Sequence, residues 1–296
     1  METLFVSSDI HSFYDEWQDA LIKAGFDIDN PEHIIVICGD IFDRGTKSLE
    51  IYNFIKSLPL ERRILIRGNH EILLKELVKR GYAEMHDYHN GTADTLYQLI
   101  GYVSEDEFTH EMYKELAKLN LEYGSPDYNN YRLRWENKRR SIYRGLVKEI
   151  IDWIDSDEWV NYLELNDYIL VHSWIPVKEH VDLNKSLTIG KIVKTGPDEY
   201  REDWRNATQD EWNDAMWGCP WKKAYDKLNK TGKIIVCGHW HTSDFFNHLT
   251  KQHKTIYECP IFKSKRYKLI GLDACTAGSH KVNVLKLNVE DEELRG

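Results

Sequence analysis

No stretch of this chain approaches the ~20 consecutive apolar residues that cross a bilayer, so no membrane contact is expected. Cysteine is sparse. The five are Cys38, Cys219, Cys237, Cys259 and Cys275, an odd number without CxxC spacing. That excludes a disulfide framework and fits a reducing compartment. Positive charge is in deficit, with 39 Lys and Arg against 49 Asp and Glu and a net charge of −10. An acidic surface repels phosphate backbones, which counts against a nucleic-acid partner. It does not exclude a small phosphorylated substrate, because a metal or an arginine cluster reverses the field locally. Internal repeats and low-complexity linkers are also missing. The first apolar run, Leu4-Phe5-Val6, reaches a polar Asp9 too early for a signal peptide, so the expected location is cytoplasmic.

Hydrophobic residues make up 42% of the 296 positions and charged residues 30%, enough to bury a real core. Short apolar runs alternate with helical periodicity. Strands are expected at Thr3–Ser7, Ile34–Cys38 and Arg63–Ile66. Helices are expected at Ser12–Ala24, Leu49–Leu58 and Glu71–Lys79, the last with Gly81 as its C-cap. This alternation indicates βαβ units and a parallel sheet. From about 82 to 156 the chain turns polar, aromatic and helical, with helices expected near 92–102, 105–119 and 137–154. A hairpin is expected over Tyr162–Val171, turning at Asn166-Asp167. A second polar segment runs from about 176 to 230. Strand-like runs follow at Lys233–Cys237, Thr255–Glu258, Leu269–Leu272 and Val282–Leu287. One domain over 1–296 with helical insertions at about 82–156 and 176–230 is the economical reading.

Polar residues of one chemical kind follow the apolar runs. Asp9-Ile-His11 follows the first, Gly39-Asp40-Ile-Phe-Asp43-Arg44-Gly45 the second and Gly68-Asn69-His70-Glu71 the third. His172 ends the run from Tyr168, and Gly238-His239-Trp-His241 follows the run from Lys233. Ligands of open α/β sheets bind beyond the carboxyl ends of strands, so these groups would converge. Gly-Asp-x-x-Asp-Arg-Gly fixes five positions, with a chance expectation on the order of one in ten thousand.

Imidazole nitrogen with carboxylate or amide oxygen suits hard or borderline divalent metals, and one aspartate can bridge two of them. Asp40 is the expected bridge. Asp9, His11 and His241 would complete one metal site, and Asn69, His172 and His239 the other. The cofactors expected are two divalent ions, with manganese, iron or zinc fitting the donors and manganese the first choice in vitro. A water held between such ions becomes a nucleophile near neutral pH.

The ordered motif set resembles the calcineurin-like metallophosphoesterase superfamily, and Gly39–Gly45 with Arg67–Glu71 resembles its phosphoprotein phosphatase branch. That branch includes bacteriophage-type serine/threonine phosphatases and symmetrical diadenosine tetraphosphatases. The resemblance implies a four-layer α/β/β/α sandwich with helical insertions. It implies His70 as the general acid, Asp43 as the carboxylate orienting His70, and Arg44 as the phosphate grip. The implied activity is hydrolysis of phosphate esters, as a phosphomonoesterase or protein phosphatase. The alternatives are a symmetrical dinucleoside polyphosphate hydrolase and a weakly catalytic scaffold on the same fold. The partner is a phosphorylated substrate, phosphoprotein or nucleotide.

Three positions depart from the branch. Ser12 replaces a glycine, Asp273-Ala-Cys-Thr276 replaces Asp-Thr-Gly, and Trp217-Gly-Cys-Pro220 lacks the branch's second phosphate-binding arginine. Lys222 or Lys223 stands nearby, but lysine does not reproduce a bidentate fork. Two further features have bland readings. The tryptophan-rich segments suit small insert cores as well as base stacking. The basic run Arg132, Arg134, Lys138, Arg139, Arg140 and Arg144 suits a solvated helix face as well as a docking patch.

Overall fold

A computed structural model describes residues 1–142, 147–180 and 194–290. The chain begins with β1 (Glu2–Ser7), α1 (Tyr14–Ala24), β2 (His33–Cys38), α2 (Ser48–Ser57), β3 (Arg63–Ile66) and α3 (Asn69–Arg80). Five helices follow: α4 (Met85–Asn90), α5 (Thr92–Gln98), α6 (Glu105–Leu119), α7 (Pro126–Ser141) and α8 (Lys148–Ile154). Then come β4 (Trp159–Val160), β5 (Tyr162–Glu164), β6 (Tyr168–Val171), β7 (Val177–Lys178) and β8 (Glu199–Tyr200). The chain continues through α9 (Gln209–Ala215), α10 (Pro220–Tyr225), β9 (Ile234–Cys237) and α11 (Thr242–Leu249). It closes with β10 (Phe262–Ser264), β11 (Leu269–Gly271), α12 (Thr276–Ser279) and β12 (Leu285–Val289).

Among the described residues the strands form two five-stranded sheets, ordered β12-β1-β2-β3-β4 and β10-β11-β9-β6-β5, beside the small β7-β8 pair. β1 to β4 run parallel, with Val6 opposite Val36 and Cys38 opposite Ile66. β11, β9 and β6 are parallel in the second sheet.

Side chains alternate across a strand, and that alternation builds the layers. Leu4, Val6, Val36, Cys38 and Ile66 point inward and meet Leu170, Val236 and Ile270 of the opposite sheet. Phe5, Ile35, Ile37 and Leu65 point outward onto Trp17, Leu21, Ile51, Ile55 and Leu77 of the helices. On the far side Ile169, Val171, Ile235 and Leu269 pack against Trp174, Trp204, Trp212 and Phe245. The result is an α/β/β/α sandwich. Central strands with two buried faces need continuous apolar runs, which is why they stand out in the sequence.

The helices between α3 and β4 extend the outer core, with Phe108, Trp135, Trp153 and Trp159 buried in it. Trp204 and Trp212 are likewise buried, so most of these tryptophans fill cores. The basic run is largely spent within its own segment. Arg132 pairs with Glu136, Arg139 with Glu105, and Lys138 Nζ sits 4.5 Å from the Trp135 ring centre. Arg144 lies outside the described residues.

Three expected elements are corrected. The single helix over 137–154 is two, α7 and α8, with 143–146 outside the described residues. α7 starts at Ser125-Pro126, where the Ser125 hydroxyl accepts from Tyr128 N at 3.2 Å and proline occupies the first turn. Thr255–Glu258 is a turn, with Ile256 and Tyr257 exposed, and the edge strand is Phe262–Ser264 instead. The last strand begins at Leu285, because Asn283 Nδ2 donates to the carbonyls of Cys259 and Leu272 at 2.8 Å and holds 282–284 as a loop.

Trp17 is fully buried, donates through Nε1 to Ser7 Oγ at 3.0 Å and meets Phe54 edge-on. Replacing it with alanine is expected to lower stability by about 3–5 kcal/mol, read as a shift in the urea midpoint.

Candidate metal centre

The loops after β1, β2, β3, β6 and β9 meet at one edge of the sandwich. Their backbones are not relaxed. Asp9, His11, Ser12, Asp40, Asp43, Arg44 and His239 all have φ between 51° and 76°, a left-handed conformation that costs non-glycine residues about 1–3 kcal/mol each. Hydrogen bonds between loops hold it. Asp9 N donates to Gly39 O, His11 N to Asp40 O and Ser12 N to Ile41 O at 2.9–3.1 Å. Gly39 has φ 78°, and a Cβ there would lie 2.6 Å from the Gly68 Cα, so only glycine allows this approach of the β2 and β3 loops.

Asp40 lies at the centre, 1% exposed. On one side His11 Nε2 and His70 Nε2 stand 4.0 and 3.9 Å from its Oδ2, and His11 Nε2 is also 4.0 Å from Asp9 Oδ1. On the other side His172 Nε2 is 3.4 Å from Asp40 Oδ1, 2.8 Å from Asn69 Oδ1 and 3.2 Å from His239 Nδ1. Two three-residue groups result, His11–Asp40–His70 and Asp40–His172–His239, sharing Asp40. His241 is half-buried at the N-cap of α11, where it opposes the rise that burial and Asp9 impose on Asp273.

The donor set fits divalent cations. Most facing nitrogen–carboxylate pairs are too far apart to hydrogen-bond and leave space for an ion at ~2.0–2.2 Å from each. The imidazoles are oriented for it, since His11 Nδ1 donates to Phe42 O at 3.0 Å and His172 Nδ1 to Cys38 O at 2.8 Å. Each Nε2 therefore faces the carboxylates. Burial and neighbouring cations push the His11 ring well below its usual range, and burial with His172 lowers His239 to about 3, whereas Asp40 and Asp9 raise His172 against burial. Burial opposes ionisation of Asp40, but His172, His70, His11 and His239 outweigh it and hold the carboxyl low. Burial pushes Asp9 up to about 6, despite opposition from His172, and the Asp40 charge adds to the rise. Burial and the Asp9 charge push Asp273 to about 7. Crowded buried carboxyls are what a bound cation resolves.

Beside this cluster, His70 Nδ1 donates to Asp43 Oδ2 at 2.6 Å. Burial alone would depress His70, but Asp40 and Asp43 raise it to about 9. Arg44 is exposed at the rim, with Nη2 3.4 Å from His70 Nε2. Trp217 is 54% exposed and meets the His239 ring edge-on at 5.7 Å. It borders a cavity of about 470 Å³ that Lys222 and Lys223 also line. Lys223 is paired with Asp198 at 2.9 Å, so it is committed elsewhere.

Sequence reasoning gave Glu71 no role. It is fully buried and accepts from the amides of Gly68, Asp40 and Ile41 at 2.8–3.0 Å. Its signal was a glutamate in the first turn of α3, the place of a reciprocal cap. Ser8, whose hydroxyl donates to Asp9, and Thr276, which donates to Asp9 O at 2.8 Å, were also missed.

The family described as calcineurin-like phosphoesterase matches residues 3–243. The symmetrical bis(5'-nucleosyl)-tetraphosphatase of Buchnera aphidicola subsp. Acyrthosiphon pisum (strain Tuc7) is 38% identical over 74 residues, 25% of this chain and 26% of that protein. The asymmetrical bis(5'-nucleosyl)-tetraphosphatase PrpE of Bacillus subtilis (strain 168) is 36% identical over 72 residues, 22% of this chain and 30% of that one. The chain thus spans about a quarter to a third of the length of these curated relatives. Among solved structures, a cold-active protein tyrosine phosphatase is similar with a TM-score of 0.49 and 17% identity, over 97% of this chain and 74% of that one.

Manganese at about 100 times its Kd is expected to stabilise the fold by about 2.7 kcal/mol. Asp40→Asn is expected to lose most of that increment when unfolding is compared with and without the ion.

Proposed function

The chain belongs to the calcineurin-like phosphoesterase family, and from that premise we propose that it is a metal-dependent hydrolase of phosphate monoesters, acting as a phosphomonoesterase or protein phosphatase. The carrying observation is the His70–Asp43 pair at 2.6 Å, set beside a buried donor cluster with Arg44 on the open side. Asp9, His11, Asp40 and His241 would hold one divalent ion, and Asp40, Asn69, His172 and His239 a second. When bound, such ions supply an activated water and offset charge on the phosphoryl oxygens.

The protein's own groups have separate tasks. Arg44 offers a planar guanidinium to the phosphate oxygens, holding the ester in line. His70 carries a proton on Nε2 and delivers it to the leaving oxygen. Asp43 keeps the Nδ1 proton in place throughout, so Nε2 is the nitrogen that gives up its proton. With Arg44 as the guanidinium and Lys223 tied to Asp198, the phosphate is gripped chiefly from one side.

A second reading is hydrolysis of dinucleoside polyphosphates, the substrates in the names of the two curated relatives. The exposed face of Trp217 beside His239 supports it, because an aromatic face holds a base without reading sequence. Comparing turnover of a phosphopeptide with that of diadenosine tetraphosphate separates the two. The cytoplasm is the proposed location, supported by five free thiols, and no helix of the described residues is long and apolar enough to cross a membrane. Manganese, iron and zinc all suit the nitrogen and oxygen donors.

Manganese-dependent release of p-nitrophenol from p-nitrophenyl phosphate, abolished by EDTA, is the expected activity. His70→Asn should lower kcat by about 10²- to 10⁴-fold while the manganese-induced stabilisation persists. Full activity in that variant contradicts the assignment of His70.

A further inference from the structure

Asp43 has more partners than His70. Thr92 Oγ1 donates to its Oδ2 at 2.7 Å, and Thr95 Oγ1 donates to its Oδ1 at 2.6 Å. Asp43, Thr92 and Thr95 are all 0% exposed. The two threonines lie three residues apart in the first turn of α5, a spacing that puts both hydroxyls on one helix face. Thr95 has a second acceptor, Gly91 O, but at 3.3 Å, so the carboxylate holds the better hydrogen bond. The backbone agrees. Asp43 is left-handed at φ 76°, and Gly91, just before α5, lies so close that a Cβ there would sit 2.5 Å from Arg44 N.

We propose that Thr92 and Thr95 are positioning residues, whose hydroxyls fix both oxygens of Asp43 so that Oδ2 stays on His70 Nδ1 and His70 Nε2 stays aimed at the leaving oxygen. The proposal rests on the reading of His70 as a proton donor. A carboxylate rotates freely unless both oxygens are engaged, and among the described side-chain hydrogen bonds Thr95 alone engages Oδ1. A buried Asp43 that turned away would leave His70 without its orienting acceptor. The helical segment after α3 thus contributes to the site through its first turns, without touching substrate.

Isosteric Thr→Val keeps the shape and removes the donor, whereas Thr→Ser keeps the donor. The first readout is leaving-group dependence with manganese-loaded protein. Phenolate, the stronger base, needs the proton more than p-nitrophenolate does. Thr92→Val and Thr95→Val should each lower kcat for phenyl phosphate further than for p-nitrophenyl phosphate, and the double variant by about tenfold further. Thr→Ser should restore the ratio, and manganese content should not change. An equal fall on both esters, or a fall that tracks lost manganese, overturns the proposal.

The second readout needs neither substrate nor turnover. A His70 Nδ1 proton bonded to Asp43 gives a downfield proton resonance, assigned by its loss in His70→Asn. It should move or broaden in the Thr→Val variants and return in Thr→Ser. An unchanged resonance in the double variant overturns the proposal. A wild-type protein that hydrolyses neither ester, yet shows the expected change in this resonance, refutes the phosphoesterase reading and leaves the positioning role standing.

Discussion

The Glu71 carboxylate binds two loops into one object. It accepts from Gly68 N at the end of β3 and from Asp40 N and Ile41 N at the end of β2. Asp40 answers by accepting from His70 N at 3.0 Å, so each loop caps the other. A buried charge is costly unless its lone pairs are filled, and here amides fill them. This exchange keeps the left-handed turn at Asp40 in place, and Asp40 is the group around which the imidazoles gather.

Electrostatics carries the same structure toward function. Burial, aided by Asp40, pushes Glu71 up to about 7, while the amides of Ile41 and Asp40 pull against it. Asp9 and Asp273 are raised as well. The cluster crowds together carboxyls whose ionisation burial opposes. Divalent ions would supply the missing positive charge and lower these carboxyls together. The fold is therefore organised against its own comfort at this edge, with stability drawn from the packed layers on either side.

Much of this was legible in the sequence because the central strands have two buried faces. Their apolar runs are unbroken, and the polar group after each run is a strand end by default. The expected donors at 9, 11, 40, 69, 172, 239 and 241 follow strand ends for that reason. The edge elements were harder to read. β10 and β12 are short and half-covered, so loops held by side chains, as at Asn283, decide where they start. The start of α7 is a Ser-Pro signal that apolar periodicity does not register. Glu71, Thr92 and Thr95 were invisible in their roles because they have partners remote in sequence, and a donor 31 or an acceptor 52 positions away leaves no local pattern.

We propose that the buried donor set holds two divalent ions that share Asp40. The most direct test is metal content after equilibrium dialysis against manganese, measured by mass spectrometry on wild type and Asp40→Asn. Close to two ions per wild-type chain, with a marked loss in the variant, is the expected result. No bound ion in folded wild-type protein, or full binding in Asp40→Asn, would contradict it.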